Sequence, residues 1–185
     1  MTKAIANIAT RAFGKTISRP KQSNRVKVKG VVNTRCYRNG ELLWEDTSEN
    51  IVFNAGLDYL IGVALGAVSQ EATWWCGLLD ASPTFSATNT FTDLAELTEY
   101  SAATRPVWVD ASTGVGQRDN SGSVAAYTIS AACTCGGVFL VATNTKGANG
   151  KIVYSGVAFT GGNRILAADD KLEVTYTQSV ADDGV

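Results

Sequence analysis

The chain has 185 residues, of which 45% are hydrophobic and 18% charged, with 18 Gly, 3 Pro, 4 Cys and no histidine. A chain of this length can bury a core without disulfides or metal, and its Gly-rich composition fits one β-rich body with many tight turns. Without histidine, the usual general base, most zinc sites and the common Ser/Cys–His nucleophile pairs are excluded.

The net charge of −1 hides a segregation. Residues 1–30 hold Lys3, Arg11, Lys15, Arg19, Lys21, Arg25, Lys27 and Lys29 and no acid, while the remainder holds eight bases against all 17 acids, a net of −9. A basic arm before an acidic body points to an interaction with nucleic acid, with an acidic protein surface, or with the body of a neighbouring copy. The arm lacks interleaved aromatics beyond Phe13, and the body has no recognition motif, so nucleic-acid contact is not expected. No stretch has the roughly 18 uninterrupted apolar residues of a membrane span, and no secretion signal is expected.

In chain order, residues 1–24 read as an extended basic arm. Ala4–Phe13 fits a short helix, and Ser18–Asn24 an extended linker around Pro20. From residue 25 a single β-rich domain is predicted. Arg25–Arg38 alternates as a strand, with Gly30 a candidate bulge. Asn39-Gly40 predicts a two-residue type I′ hairpin turn, with Glu41–Asp46 as the return strand and Tyr37 and Trp44 covering one face.

Asn50–Val68 predicts a strand followed by the one convincing helix. Leu57, Leu60, Ile61, Ala64, Leu65 and Val68 fall on one face of a 3.6-residue period, Asn54 is the expected N-cap, and Asp58 lies near the positive end of the dipole. Gly56, Gly62 and Gly66 cost helix propensity, roughly 1 kcal/mol each against Ala, so close approach of another backbone is expected and the helix should lie flat on a sheet.

Thr73–Leu79 reads as a buried strand, and Thr84–Tyr100 as a short helix or exposed loop. Arg105–Val109 reads as an edge strand behind Pro106, and residues 111–122 as a long mobile loop. Strands at Ser123–Ser130, Val138–Asn144, Ile152–Phe159 and Lys171–Gln178 are separated by Gly-rich turns, and residues 181–185 form a frayed tail. The whole predicts an all-β fold, a β-sandwich or jelly-roll-like barrel with one packed helix and an extended basic N-terminal arm.

Chemistry is sparse. Lys146–Lys151 lacks the spacing of a phosphate loop. Asp93, Glu96 and Glu99 have the residue type of glycosidase carboxylates but read better as a solvated acidic face. Asp169-Asp170 and Asp182-Asp183 lack an EF-hand pattern. Cys133 and Cys135 should share one strand face, and the four cysteines read as free thiols. No catalytic residue, cofactor or metal is expected.

Several stretches nevertheless carry a likeness. Asn50–Leu60, Trp75–Leu79, Glu99–Pro106 and Gly136–Leu140, together with the segment from Thr145-Lys-Gly147 through Leu172–Tyr176, resemble tailed-bacteriophage structural proteins of the head-gene region. The likeness covers roughly residues 37–178 and leaves the arm outside. The resemblance implies a β-rich capsid cement (decoration) protein. It would be a non-enzymatic virion component, made in the host cytoplasm and bound to the outer capsid surface, with the major capsid protein and neighbouring copies of itself as partners and no membrane contact. On that basis Lys3, Arg11, Lys15, Arg19, Lys21 and Arg25 are expected to form a capsid-contact arm, and Phe91 and Trp108 are the candidate exposed anchors. A tail-fibre or receptor-binding module, meeting the host through residues 111–122 and 145–150, is the alternative reading.

Overall fold

The Asn39-Gly40 dipeptide turns the chain as expected. In the computed structural model, which describes residues 25–148 and 151–182, strands β1 (Val26–Arg38) and β2 (Glu41–Glu49) pair antiparallel around it. Asn39 (φ 54°) and Gly40 (φ 87°) both occupy the left-handed region that a type I′ turn requires. The bulge lies between Cys36 and Tyr37, not at Gly30. It places Trp44 opposite Cys36 and Tyr37 opposite Leu42, so Tyr37 and Trp44 fall on different faces. Gly30 has another role: its N–H donates to Asn50 Oδ1 at 2.7 Å, and a Cβ there would lie 2.6 Å from the Asn50 amide nitrogen.

The chain continues through β3 (Ile51–Val52), helix α1 (Asn54–Leu65), β4 (Trp74–Leu79), a 3-10 turn at Phe91–Asp93, β5 (Glu96–Leu97), β6 (Val107–Trp108) and the hairpin β7 (Ala111–Gly114) and β8 (Gln117–Asp119). It ends with β9 (Ala125–Thr128), β10 (Cys133–Cys135), β11 (Gly137–Val141), β12 (Val153–Ala158), β13 (Arg164–Leu166) and β14 (Lys171–Asp182). One sheet runs β2-β1-β14-β8-β7 with β9 also on β14; the other runs β3-β12-β11-β4-β5 with β6 also on β4. All of these pairs are antiparallel, and β10 and β13 form a small separate ribbon.

Three expectations are corrected. Residues 111–122 contain a hairpin, stitched to β14 by the Val180 N–H donating to Gly116 O at 2.8 Å. The predicted tail is strand as far as Asp182, because Ala181 and Asp182 pair with Lys27 and Val26. Helix α1 stops at Leu65, where Gly66 caps Gly62 O; Phe53 is its N-cap, and Asn54 instead donates its N–H to Ala87 O.

The two sheets face each other across Val32, Leu172, Val174 and Tyr176 on one side and Leu78, Val138, Leu140 and Val157 on the other, all buried. The outer face of the second sheet is covered as well: Phe53, Phe91, Leu94 and Phe139 form a second apolar cluster there. Burial on both faces explains why β11 reads Gly-Val-Phe-Leu-Val without alternation, whereas β14, with one wetter face, alternates.

Two buried carboxylates tie strand ends together. Asp170 accepts Arg38 Nε and Nη2, both at 2.8 Å, and the Ala167 N–H at 2.8 Å. The Arg38 hydrogen bonds hold its pKa below the ordinary aspartate value, against an opposing effect of burial. At Asp46 burial is the largest influence and pushes upward, but the Ser48 hydroxyl, the Gly161 N–H and Arg164 outweigh it and leave the pKa lowered. A carboxylate with a depressed folded-state pKa stabilises the fold fully above its unfolded value of about 3.9 and loses that contribution as pH falls through the folded value. Acid unfolding below about pH 4 should therefore flatten in Asp170→Asn, which is also expected to melt lower at neutral pH. Thermal melts of both proteins between pH 2 and 7 test this, and parallel curves would refute it.

Candidate functional site

Of the predicted arm residues, Arg25 is exposed just before β1, while Lys3, Arg11, Lys15, Arg19 and Lys21 lie outside the described residues. Further along, Lys29 already binds Glu49 at 2.7 Å. Within the body, Arg35, Arg38, Arg105, Arg118, Lys151 and Arg164 each sit in an ion pair with a body carboxylate.

Phe91 and Trp108 are not exposed anchors. Both are buried, at 8% exposure each. Phe91 packs edge-on against Phe139, and Trp108 donates its indole N–H to Tyr176 O at 2.9 Å. Strand alternation accounts for Trp108, because its neighbours Val107 and Val109 point outward and Trp108 therefore points in.

Of Asp93, Glu96 and Glu99, the first and last are exposed as expected of a solvated face, whereas the Glu96 side chain is buried. Asp93 accepts the Thr90 N–H in a capping box, and Glu99 accepts the Thr98 N–H. The buried Glu96 is locked in a two-pronged pair with Arg105, at 2.7 Å for each prong. The four cysteines are free, and burial pushes their pKa values up, to about 11 for Cys36 and Cys133 and about 12 for Cys76 and Cys135, so they are protonated thiols at neutral pH. Among the described residues, no group of three or more His, Cys, Asp or Glu is placed to hold a metal.

The surface features with binding chemistry lie on and beside α1. Most of the predicted inward face points outward: Leu57 (41%), Ile61 (57%), Ala64 and Leu65 (83%) of α1, and Val68 (48%) beyond its end, are exposed, and of the predicted residues Leu60 alone packs on the core. Gly56 causes the rotation. It is the buried residue of the helix, resting on the backbone of Tyr154 where any Cβ would collide with the carbonyl oxygen. One turn on, Tyr59 packs edge-on against Trp74 at 5.3 Å between ring centres, and Trp74 packs against Tyr154 at 5.6 Å. Close backbone contact and aromatic packing thus select the buried side, and the larger aliphatic stripe is left facing out. Of the three glycines, only Gly56 meets another element's backbone.

Below the helix the sandwich is open at one end. A cleft of about 410 Å³ is walled by Tyr59 and Leu60 of α1, Trp74, Tyr154 and Trp108 from the second sheet, and Val180 of β14. The β7–β8 hairpin forms its outer lip, contributing Ser112, Gln117 and Arg118, the last paired with Asp110. Gln178 also lines it. Its amide nitrogen donates to Lys29 O at 2.9 Å, whereas its amide oxygen is buried with no hydrogen-bond partner among the described residues. Composition gave no sign of this cleft, since its lining comes from segments scattered between Tyr59 and Val180. Compared with protein-family models, with curated proteins and with solved structures, the chain finds no match.

Proposed function

We propose that the chain is a non-enzymatic virion structural protein, a capsid cement protein that binds the outer surface of a phage head and links adjacent capsid subunits. The observation that carries this reading is the uncovered apolar row Leu57, Ile61 and Leu65 on α1, with exposed Val68 just beyond its C-terminal end. Aliphatic side chains in a row at helical spacing make a contiguous apolar surface, the kind that marks a protein–protein contact. Three further features support it: the resemblance over roughly residues 37–178, the basic arm ahead of an acidic body, and the engagement of Glu96 by Arg105, which removes one of the carboxylates a hydrolase would need. In this reading the helix row provides the fixed contact, and the arm bases reach acidic surfaces of the neighbouring capsid subunit or cement copy. Attachment at many equivalent sites then strengthens the shell through multivalency.

The test is sedimentation of purified protein with undecorated heads. The double substitution Ile61→Asp/Leu65→Asp should abolish co-sedimentation while leaving the melting temperature close to that of the parent, because both positions are solvent-exposed. Deleting residues 1–24 should leave the body folded and weaken attachment. Retained attachment in the double variant would overturn the helix-row contact. A copy number in virions far below that of the shell protein would redirect the reading to a tail or fibre component.

A further inference from the structure

We propose that Phe13, carried by residues 4–13 of the same chain, docks in cis in the aromatic cleft as its anchoring side chain. This inference does not depend on the capsid reading. The cleft lies open beneath α1 and is walled by Tyr59, Trp74, Tyr154 and Trp108. Its volume of about 410 Å³ falls in the range of pockets that enclose a compact apolar group. The buried amide oxygen of Gln178 is an acceptor awaiting a donor, and a docked backbone N–H would satisfy it.

The occupant follows from where the chain enters the body. Val28 stands directly opposite Val180 in the antiparallel pair β1–β14, so the two side chains share a face, and Val180 lines the cleft. The chain therefore joins the sheet at the rim of the cleft, with Val26 exposed two pairs further out. Upstream, Ile5, Ile8, Ala9, Ala12 and Phe13 recur at i, i+3, i+4, i+7 and i+8, the spacing of one apolar helix face. Residues 14–24 connect that segment to the rim, and a linker of that length has a root-mean-square span of roughly 18 Å. That is enough to return to a cleft beside its own anchor point, where tethering supplies an effective concentration of the order of millimolar. The linker carries Lys15, Arg19 and Lys21 with no acid, and the chain beyond residue 30 has a net charge of −9, so closure is also favoured by charge. The segment with most of the apolar residues is thus held, and the linker bases stay outside for a partner.

The experiment uses the full-length chain carrying the photo-crosslinker p-benzoylphenylalanine in place of Phe13, irradiated in dilute solution and mapped by mass spectrometry. An equal mixture of unlabelled and ¹⁵N-labelled protein reports whether a crosslink joins one chain or two. The expected result is crosslinks to the walls of the cleft, in same-isotope pairs only. The crosslink should be lost in Ser112→Trp, where an indole introduced at an exposed position of the lip takes up space in the cleft. Mixed-isotope pairs would overturn the cis assignment in favour of arm exchange between copies. Crosslinks elsewhere, none at all, or an undiminished yield in Ser112→Trp would overturn the cleft as the docking site. Each of these outcomes leaves capsid attachment to be judged on its own assay.

Discussion

Replacing Arg105 with alanine is expected to lower the free energy of unfolding by about 3–5 kcal/mol, the usual cost of stranding one member of a buried ion pair. The Arg105 side chain is fully buried and that of Glu96 nearly so. Arg105 donates Nε and Nη2 to the two carboxylate oxygens at 2.7 Å each and Nη1 to Thr143 O at 2.8 Å. The guanidinium also lies 5.1 Å from the Phe91 ring centre and 5.4 Å from that of Phe139. Glu96 in turn accepts the Gly147 N–H at 2.7 Å, so the pair joins β5, the segment before β6 and the turn after β11. Alanine would leave a buried carboxylate with one N–H partner and open a void beneath two aromatic rings. The pair as a unit need not be stabilising, because desolvating both charges offsets much of their attraction. Arg105→Met combined with Glu96→Leu should therefore recover most of the loss. Chemical denaturation of the parent, Arg105→Met, Glu96→Leu and the double variant measures the coupling, and strict additivity would show that the two groups do not act together.

Gly56→Ala is the second large effect, and its sign is opposite to what helix propensity alone implies. In an exposed helix the change gains up to about 1 kcal/mol. Here the new methyl would be driven into Tyr154 O, a backbone atom in the second sheet that cannot rotate aside. Overpacking of this kind costs roughly 1–3 kcal/mol, so net destabilisation is expected, together with displacement of α1 from β12. Because Tyr59 and Leu60 wall the cleft and Tyr59 packs on Trp74, the displacement should also change tryptophan fluorescence. Gly62→Ala is the control. Its methyl would meet only the side chain of Val68, an exposed residue beyond the helix end that can give way, so this change should be neutral or stabilising. Equal destabilisation by the two substitutions would mean that close backbone approach is not what Gly56 provides.

Local rules were enough for much of this architecture. Asn39-Gly40 fixed a hairpin because two consecutive left-handed residues are rare outside that turn. The alternation of Leu172, Val174 and Tyr176 fixed the inner face of β14, and the Gly-rich spacing after residue 123 fixed a β-rich fold with one helix. The existence of α1 was legible too, but not its orientation. Hydrophobic periodicity identifies the most apolar side of a helix, whereas the buried side is the one that fits its neighbours. At α1 the fit of Gly56 to Tyr154 and of Tyr59 to Trp74 outweighed a larger aliphatic stripe.

The candidate sites divide along the same line. That the chain carries segregated charge and no histidine is written in its composition, and no folding step alters it. Whether Trp108 is an anchor or a core residue, or Glu96 a surface acid or half of a buried pair, depends on which distant segments arrive beside them. The cleft under α1 belongs wholly to that second class, since its walls are brought together from the helix, β4, β6, β12 and β14. A linear sequence states what each side chain is able to do; tertiary packing decides which of them face solvent, because desolvation and shape complementarity are properties of neighbours in space.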